Sequence, residues 1–125
     1  QIKVLHVEDD LDLYQVIRQS ACNDVSFRLA TSMAEARLSL KTDAPDLLLL
    51  DIELPDGDGS DLIEEVRRQL PHCSIMLLTG HGVEPGLRSR VDAAVLKSAL
   101  SVPDLLKRID YLTGRLQPDE EHPDG

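Results

Sequence analysis

A run of four leucines at residues 47–50 constrains the fold most, because it leads directly into Asp51. Such a run is too short to cross a membrane and has the length of a strand that is buried on both faces of a sheet. Beyond Asp51 the chain reaches the turn-forming residues 56–59, Asp-Gly-Asp-Gly. Open α/β sheets bind their ligands at the carboxyl ends of parallel strands. Asp51 is therefore a candidate functional carboxylate, and a residue that only caps the following loop is the alternative.

The composition narrows the class of protein. A chain of 125 residues has the length of one domain with a substantial core, and one Phe, two Tyr and no Trp make that core aliphatic. A formal net charge of −10 disfavours direct binding of nucleic acid, whose phosphates would be repelled. The sequence has no apolar run of about 18 residues, no signal-peptide pattern and no metal-ligand spacing of its two cysteines. These features predict a cytoplasmic domain without membrane contact.

Segments typical of strands and helices alternate along the chain. Short aliphatic runs predict five strands, at residues 2–7, 26–30, 47–50, 74–78 and 93–96. Apolar residues at helical spacing predict helices near residues 11–21, 32–41, 59–70 and 101–112, and the second begins with the capping-box pattern S-x-x-E. The alternation predicts a three-layer α/β/α fold with a five-stranded parallel sheet in the flavodoxin-like order 2-1-3-4-5.

The segment between the fourth and fifth predicted strands is a poor helix former. Residues 80–92 contain Gly80, Gly82, Pro85 and Gly86. An interior glycine costs a helix about 1 kcal/mol relative to alanine, and proline is tolerated only in the first turn. The fourth helix is therefore predicted to be short or absent, with at most two turns between Pro85 and about residue 91.

The two ends of the chain differ in character. Residues 1–116 are predicted to form the domain, whereas residues 117–125, QPDEEHPDG, are predicted to be an acidic disordered tail. The chain opens with Gln1 and enters a strand almost at once. We interpret it as part of a longer protein that has a further domain upstream.

Polar residues that follow the predicted strands should meet at one edge of the sheet; they are Glu8, Asp9, Asp10, Asp51, Thr79 and Lys97. Clustered carboxylates favour a cation, and ligands that are all oxygen favour Mg²⁺. Aspartate can accept a phosphoryl group as an acyl phosphate, and a hydroxyl and an ammonium can stabilise the phosphoryl oxygens. Asp10 is expected to act at a helix N-terminus instead. His6 is expected to be a packed, hydrogen-bonded core residue.

Four motifs at the ends of predicted strands resemble those of response-regulator receiver domains in two-component signalling. They are VEDD at 7–10, DIELPDGDG at 51–59, LTG at 78–80 and LKS at 96–98. They occur in the order found in that family and span residues 2 to about 116.

The resemblance implies a role for each matching residue. Asp51 would be the phosphoacceptor, and a Mg²⁺ site would consist of Glu8, Asp9, Asp51 and the backbone carbonyl of Glu53. Thr79 and Lys97 would contact the phosphoryl group. Residues at the positions of Glu53 and His81 tune the lifetime of the phosphoryl group in the family.

The sequence departs from the family in three places. Ala94 occupies the position of the aromatic switch residue, Ser98 replaces the proline after the lysine, and the interval from Thr79 to Lys97 is about four residues shorter than usual. Because a cis peptide bond before a residue other than proline costs about 3 kcal/mol, the Lys97–Ser98 bond is expected to be trans. These changes should leave the phosphorylation chemistry intact, whereas the route by which phosphorylation is transmitted to the output should differ.

The sequence thus predicts a phosphoacceptor domain that takes a phosphoryl group from a histidine kinase phosphohistidine or a phosphotransfer domain onto Asp51, with Mg²⁺. It would catalyse its own phosphorylation and dephosphorylation without being a separate enzyme. The C-terminal receiver of a hybrid histidine kinase is favoured over a response regulator without its output domain. Two other classes stay open: a degenerate receiver acting only as an interaction module, and an aspartate-nucleophile Mg²⁺-dependent phosphatase. The first usually lacks the Asp, Thr or Lys, and the second usually carries D-x-D on its first strand.

Overall fold

The computed structural model describes residues 1–114, so the predicted tail at 117–125 lies outside the described residues. Within residues 1–114 the strands and helices are β1 (Ile2–Val7), α1 (Leu11–Ser20), β2 (Val25–Ala30), α2 (Met33–Thr42), β3 (Leu47–Asp51), β4 (Glu53–Leu54), β5 (Gly57–Asp58), α3 (Asp61–Gln69), β6 (Ser74–Thr79), α4 (Pro85–Arg88), β7 (Ala93–Leu96) and α5 (Val102–Leu112). A 3₁₀ turn, Lys97–Ala99, follows β7 directly.

Five of these strands form one parallel sheet in the order β2-β1-β3-β6-β7, while β4 and β5 form a separate antiparallel hairpin. With the hairpin left out, this is the predicted order 2-1-3-4-5, and the fold-class prediction is confirmed. The register pairs Val7 with Leu50, and Asp51 with Leu78. The carboxyl ends of the central strands therefore reach the same edge of the sheet.

The core consists of two mainly aliphatic clusters, one on each face of the sheet. Successive leucines of β3 alternate between them: Leu48 and Leu50 belong to one cluster, and Leu47 and Leu49 to the other. The first cluster contains buried residues of α2 and α3, and the second contains buried residues of α1 and α5. Burying one such leucine contributes about 1.5–3 kcal/mol to the stability of the fold. The four leucines therefore hold β3, and the carboxylate at its end, in a fixed position.

Side-chain caps fix where the first two helices begin. Asp10 Oδ1 accepts hydrogen bonds from the backbone amides of Asp12 and Leu13 at 3.0 and 3.2 Å, which confirms its expected helix-terminal role. Ser32 Oγ accepts one from Glu35 N, as in a capping box. The second half of the predicted box does not form, because the Glu35 carboxylate bonds to Thr31 N at 2.7 Å and not to Ser32 N.

The prediction of a short fourth helix is confirmed. Helix α4 contains four residues and begins at Pro85; Gly82 precedes it and Gly86 lies within it, and both glycines disfavour a longer helix. The structure has no cis peptide bond within residues 1–114, so the Lys97–Ser98 bond is trans as expected. None of the helices in this part of the chain has the length and apolar character needed to span a bilayer.

Candidate functional site

An ammonium group joins two buried carboxylates at the edge of the sheet. Lys97 Nζ lies 3.1 Å from Glu8 Oε2 and 3.1 Å from Asp51 Oδ2. Glu8 is completely buried and Asp51 is 2% exposed, whereas 29% of the Lys97 side chain is exposed. Buried carboxylates are tolerated only when they are paired and hydrogen-bonded, so the lysine is a structural requirement of this acidic pair as well as a candidate functional group.

Backbone hydrogen bonds hold the two carboxylate residues at this edge. The Glu8 amide continues the ladder beyond β1 by donating to the Ala30 carbonyl at 2.9 Å. Asp51 is the last residue of β3, and its Oδ1 accepts a hydrogen bond from the Glu53 amide at 3.0 Å. Each oxygen of the Asp51 carboxylate therefore has its own donor, Glu53 N on Oδ1 and Lys97 on Oδ2.

Gly59 allows the chain to pass close to the back of Asp51. A Cβ atom at this position would lie 2.4 Å from the Asp51 carbonyl oxygen and 3.1 Å from Ile52 Cα, both of which are rigid backbone atoms. The Gly59 amide also donates to the Ile52 carbonyl at 2.6 Å, closing the loop that contains the β4–β5 hairpin. Only glycine fits here without displacing the backbone of Asp51.

Burial and charge shift the ionisation of the three groups in different directions. Burial, and then the neighbouring Glu8 charge, raise the pKa of Asp51 to about 6 against the opposing effects of the Glu53 amide and Lys97. Burial also disfavours the Glu8 anion, but contacts with His6 and Lys97 outweigh it and lower the Glu8 pKa to about 2. The pKa of Lys97 is raised because its two carboxylate contacts outweigh its burial. Above pH 6 the centre therefore holds two anions and one cation.

A third carboxylate makes this centre a candidate cation site. Glu8, Asp9 and Asp51 each offer an oxygen, and the three oxygens lie within 4.8 Å of one another. Glu8 Oε1 is buried and has no hydrogen-bond partner, so it is available to accept a hydrogen bond that would anchor the carboxylate. Several carboxylate oxygens at one edge of the sheet, without nitrogen or sulfur ligands, fit Mg²⁺.

The hairpin fixes the direction of the Glu53 backbone beside Asp51. The Ile52 carbonyl pairs with the Gly59 amide, so Glu53 occupies the next, non-hydrogen-bonded position opposite Asp58. At such a position the amide and the carbonyl both point away from the partner strand. Because the Glu53 amide donates to Asp51, its carbonyl lies on the Asp51 side of the hairpin as well.

Thr79 and His81 lie on the opposite side of Asp51 from β1. Thr79 ends β6, one residue beyond the register partner of Asp51, and is 4% exposed. Its hydroxyl donates to the His81 carbonyl at 2.9 Å and accepts from the His81 amide at 3.1 Å. His81 Nε2 lies 3.7 Å from Glu53 Oε1, and both side chains are largely exposed. Glu53, Thr79 and His81 line an open cleft of about 660 Å³, together with Gly82, Val83, Glu84, Gly86 and Leu87.

Ala94 has no ring to reorient at the position of the expected aromatic switch. It is half-buried, pairs with Leu77 in the sheet and packs against the cluster that contains α2 and α3. The methyl side chain is part of the core on this face.

Three further residues support the site and were not recognised as such from the sequence. Asp56, interpreted as a turn residue, accepts hydrogen bonds from the amides of Met33 and Ala34 at 2.7 and 3.2 Å, tying the hairpin to the start of α2. Arg67 donates to the Arg90 carbonyl and to Asp92 Oδ2. The sequence identifies Gly59 as a turn former but gives no sign of its close approach to Asp51. These hydrogen bonds join residues that are 22 to 25 positions apart, so no local pattern identifies them.

The prediction for His6 is confirmed for its burial and wrong for its hydrogen bonding. The residue is completely buried, as predicted, but neither ring nitrogen has a hydrogen-bond partner, and its Nε2 lies 3.7 Å from Glu8 Oε1. The strands beside it present Leu29 and Leu49 at the same level, so these neighbours offer no polar side chain.

Comparison with known proteins gives a consistent result. The family model of the response regulator receiver domain matches residues 4–109. The response regulator MprA of Mycobacterium leprae is 29% identical over 123 residues, which is 95% of this chain and 54% of that protein. The MprA protein of Mycobacterium tuberculosis strain H37Rv is 28% identical over 123 residues, with the same coverage. The chain thus spans about half the length of the curated relatives it matches.

Solved structures with the same fold include the receiver domain of Francisella response regulator 1452, with a TM-score of 0.81 and 25% identity over 94% of this chain and 100% of that chain. Response regulator TrrA of Thermotoga maritima, in complex with Mg²⁺ and BeF, has a TM-score of 0.78 and 22% identity over 90% of this chain and 99% of that chain. The TrrA likeness concerns the fold.

Proposed function

Since the chain belongs to the response regulator receiver domain family, we propose that Asp51 accepts a phosphoryl group from a phosphohistidine of a histidine kinase or phosphotransfer domain. The observation that carries this proposal is the contact of Lys97 Nζ with Asp51 Oδ2 and Glu8 Oε2, at 3.1 Å each. A buried, ionisable carboxylate with an ammonium at one oxygen and an acidic cluster beside it has the parts that phosphoryl transfer to aspartate requires.

In the proposed reaction a carboxylate oxygen of Asp51 attacks phosphorus while the bond between phosphorus and the donor imidazole nitrogen breaks. The electron pair of that bond returns to the imidazole, and an acyl phosphate forms on Asp51. With a pKa of about 6, Asp51 is ionised at neutral pH yet more basic than an ordinary aspartate. Both properties favour a nucleophile.

Two side chains must change partners for this product to be stabilised. The Lys97 ammonium would move from Asp51 Oδ2 to an oxygen of the phosphoryl group, keeping its contact with Glu8. The Thr79 hydroxyl, which now donates to the His81 carbonyl, would turn to donate to another phosphoryl oxygen. Thr79 would exchange a neutral carbonyl acceptor for a charged phosphoryl oxygen, and Lys97 would exchange a carboxylate oxygen for a more highly charged phosphoryl oxygen.

Glu8, Asp9, Asp51 and the Glu53 carbonyl would hold Mg²⁺, which would neutralise charge on the phosphoryl oxygens. The carboxylate oxygens of this set lie within 4.8 Å of one another. The solved complex of TrrA with Mg²⁺ and BeF supports the proposal by likeness of fold. The exposed Glu53 and His81 side chains flank the cleft through which water would reach the acyl phosphate, so they would tune its lifetime.

The relatives named response regulators favour a regulator as the parent protein, and the hybrid histidine kinase predicted from the sequence is the alternative. In either parent the domain would act in the cytoplasm and would switch a two-component output. The partner would be a phosphohistidine-bearing protein, with no direct contact to nucleic acid by this domain.

The test is incubation of the chain with acetyl phosphate, with and without Mg²⁺, followed by mass spectrometry of the protein and its peptides. One phosphoryl group per chain, located on Asp51 and formed only with Mg²⁺, is expected. Asp51→Asn should abolish labelling, whereas Asp61→Asn, an exposed acid at the start of α3, should not. Labelling that persists in Asp51→Asn refutes the proposal. A chain that is never labelled points to the interaction module, and continuous hydrolysis of phosphomonoesters points to the phosphatase.

A further inference from the structure

His6 and Glu8 share one face of β1 and its continuation. Side chains two residues apart in a strand point to the same face, so Val4, His6 and Glu8 follow one another on the face that carries α1. The ring of Tyr14 from α1 lies against His6, with ring centroids 5.8 Å apart. An imidazole is thus enclosed in an apolar layer, next to the carboxylate of the proposed phosphorylation site.

Three buried polar atoms at this place lack hydrogen-bond partners. Throughout residues 1–114, the buried side-chain atoms in this condition are His6 Nδ1, His6 Nε2 and Glu8 Oε1. Two of them face each other, since Nε2 lies 3.7 Å from Oε1. Buried polar groups are nearly always hydrogen-bonded, and a shortening of about 0.8 Å would make this contact an ordinary hydrogen bond.

The other oxygen of Glu8 already has two donors. Glu8 Oε2 accepts from the Asp10 amide at 3.2 Å and from Lys97 Nζ at 3.1 Å. With Oε2 held in this way, a donor at Oε1 fixes the remaining freedom of the carboxylate, namely rotation about its bond to the side chain. The described neighbours place His6 Nε2 in the position of that donor.

We propose that His6 is a positioning residue, whose Nε2–H donates to Glu8 Oε1 and holds the carboxylate in the orientation required at the Mg²⁺ site. The inference rests on the proposed function, since Glu8 matters as a member of that site. His6 acts through Glu8 and touches neither the phosphoryl group nor the cation. Partners that orient a metal-binding side chain typically change metal affinity 10- to 100-fold when they are removed.

Two substitutions separate this role from packing. His6→Leu fills the apolar site and removes the donor, whereas His6→Gln keeps an N–H group that can reach toward Oε1. The leucine variant should fold at least as well as the natural chain, because it removes two buried nitrogens without partners. Circular dichroism and thermal melting in EDTA establish that each variant is folded before any comparison.

Mg²⁺ alone is then titrated by calorimetry into the metal-free full chain and each variant. His6→Leu should weaken binding about 10-fold or more, and His6→Gln should restore affinity to within about 3-fold of the natural chain. If His6→Leu binds Mg²⁺ as tightly as the natural chain does, the inference is overturned. Equal weakening by leucine and glutamine also overturns it, because ring packing would then be responsible.

Nitrogen-15 NMR of the natural chain gives an independent readout that needs no variant at His6. The His6 ring hydrogen should be on Nε2, slow to exchange, and its resonance should shift in Glu8→Gln. A hydrogen on Nδ1 alone overturns the inference, even if a His6 variant fails to fold. If the natural chain is labelled on Asp51 but His6→Leu binds Mg²⁺ as tightly as the natural chain does, this inference is refuted and the proposed function is not. A natural chain that binds no Mg²⁺ refutes the proposed metal-dependent function, while the NMR result still decides whether His6 donates to Glu8.

Discussion

The Lys97 ammonium lies 3.1 Å from Asp51 Oδ2 across 46 residues of sequence. The same nitrogen contacts Glu8, so one cation compensates two buried anions. Because the carboxylates are almost fully enclosed, they depend on this lysine for compensation within the protein. The stability of the metal-free domain is thereby linked to the candidate functional site.

Lys97→Met should destabilise the metal-free chain at pH 7 by about 1–3 kcal/mol. Removing one partner of a fully buried ion pair costs about 3–5 kcal/mol, and the partial exposure of Lys97 reduces that figure. The free energy of unfolding would be measured by urea denaturation. The matched control is Lys3→Met, since Lys3 Nζ contacts Asp43 at 2.9 Å on the surface, and a loss below about 1 kcal/mol is expected there. Equal losses of unfolding free energy in the two variants would show that the buried contacts of Lys97 stabilise the chain no more than the surface contact of Lys3 does.

Asp51 should make the metal-free chain less stable as the pH rises. Its pKa is raised from 3.8 to about 6, so the native state binds a proton more tightly than the unfolded chain does. Its contribution to the free energy of unfolding therefore falls between pH 3.8 and about pH 6, and stays constant above that. Glu8 has the opposite effect at lower pH: its pKa is lowered from 4.5 to about 2, so its contribution is lost as the pH falls through that range.

The variant Asp51→Asn isolates the first of these effects. Between pH 4 and pH 7 the free energy of unfolding of Asp51→Asn should rise, relative to that of the natural chain, by up to about 3 kcal/mol. The figure follows from the raised pKa, because each pKa unit corresponds to about 1.4 kcal/mol. Urea denaturation in EDTA at unit pH intervals measures it. A difference that does not change with pH would mean that Asp51 titrates normally.

Mg²⁺ should raise the melting temperature at pH 7.5 by binding only to the native state. At 100 times the dissociation constant, such binding stabilises a protein by about 2.7 kcal/mol. The shift should be much smaller in Asp9→Asn, whose exposed carboxylate is the third member of the acidic group, and unchanged in Asp61→Asn. The absence of any Mg²⁺-dependent shift above pH 7 in the natural chain would rule out a shared metal site.

Gly59→Ala should destabilise the domain by about 1–3 kcal/mol, the usual cost of overpacking, and should reduce labelling of Asp51. The added methyl carbon would meet the Asp51 carbonyl oxygen at 2.4 Å, so the backbone that positions the carboxylate must move. Gly82→Ala is the control, because a Cβ atom there meets nothing within 4 Å. Thermal melting and acetyl phosphate labelling of both variants test this prediction, and two variants with the same behaviour would contradict it.

The parts of the site that could be predicted are those that follow from strand order. Asp51 and Lys97 each come at the end of an aliphatic run, and parallel strands bring such ends together. The supporting contacts could not be predicted, because they depend on side-chain direction across the fold. Asp56 caps a helix that begins 23 residues earlier. The two-residue period of a strand places His6 and Glu8 on the same face, but the 3.7 Å separation of His6 Nε2 and Glu8 Oε1 depends on side-chain torsions that the sequence does not give.

The segment from β6 to β7 should respond to phosphorylation along part of its length. Its far end is anchored: Arg67 donates to the Arg90 carbonyl, and Asp92 Oδ2 accepts from both Arg67 and the Ile75 amide. Its near end has a single-turn helix, Pro85–Arg88, with glycines at 82 and 86. Ala94 offers no ring that could transmit the signal by rotation, so a change in the near end is the route that the structure favours.

Amide hydrogen exchange of the chain, with and without Mg²⁺ and beryllium fluoride as a phosphoryl mimic, tests this route. In the free chain the amides of residues 80–88 should exchange quickly and that of Ile75 slowly, because the latter is bonded to Asp92 at 2.8 Å. The mimic should draw the Thr79 hydroxyl away from His81 and slow exchange in residues 80–88, leaving Ile75 unchanged. Thr79→Val, which keeps the shape and removes the hydroxyl, should abolish that slowing. Slow exchange across residues 82–92 in the free chain, as in a helix of three turns, would refute the prediction, because the segment would then be ordered before any phosphoryl group arrives.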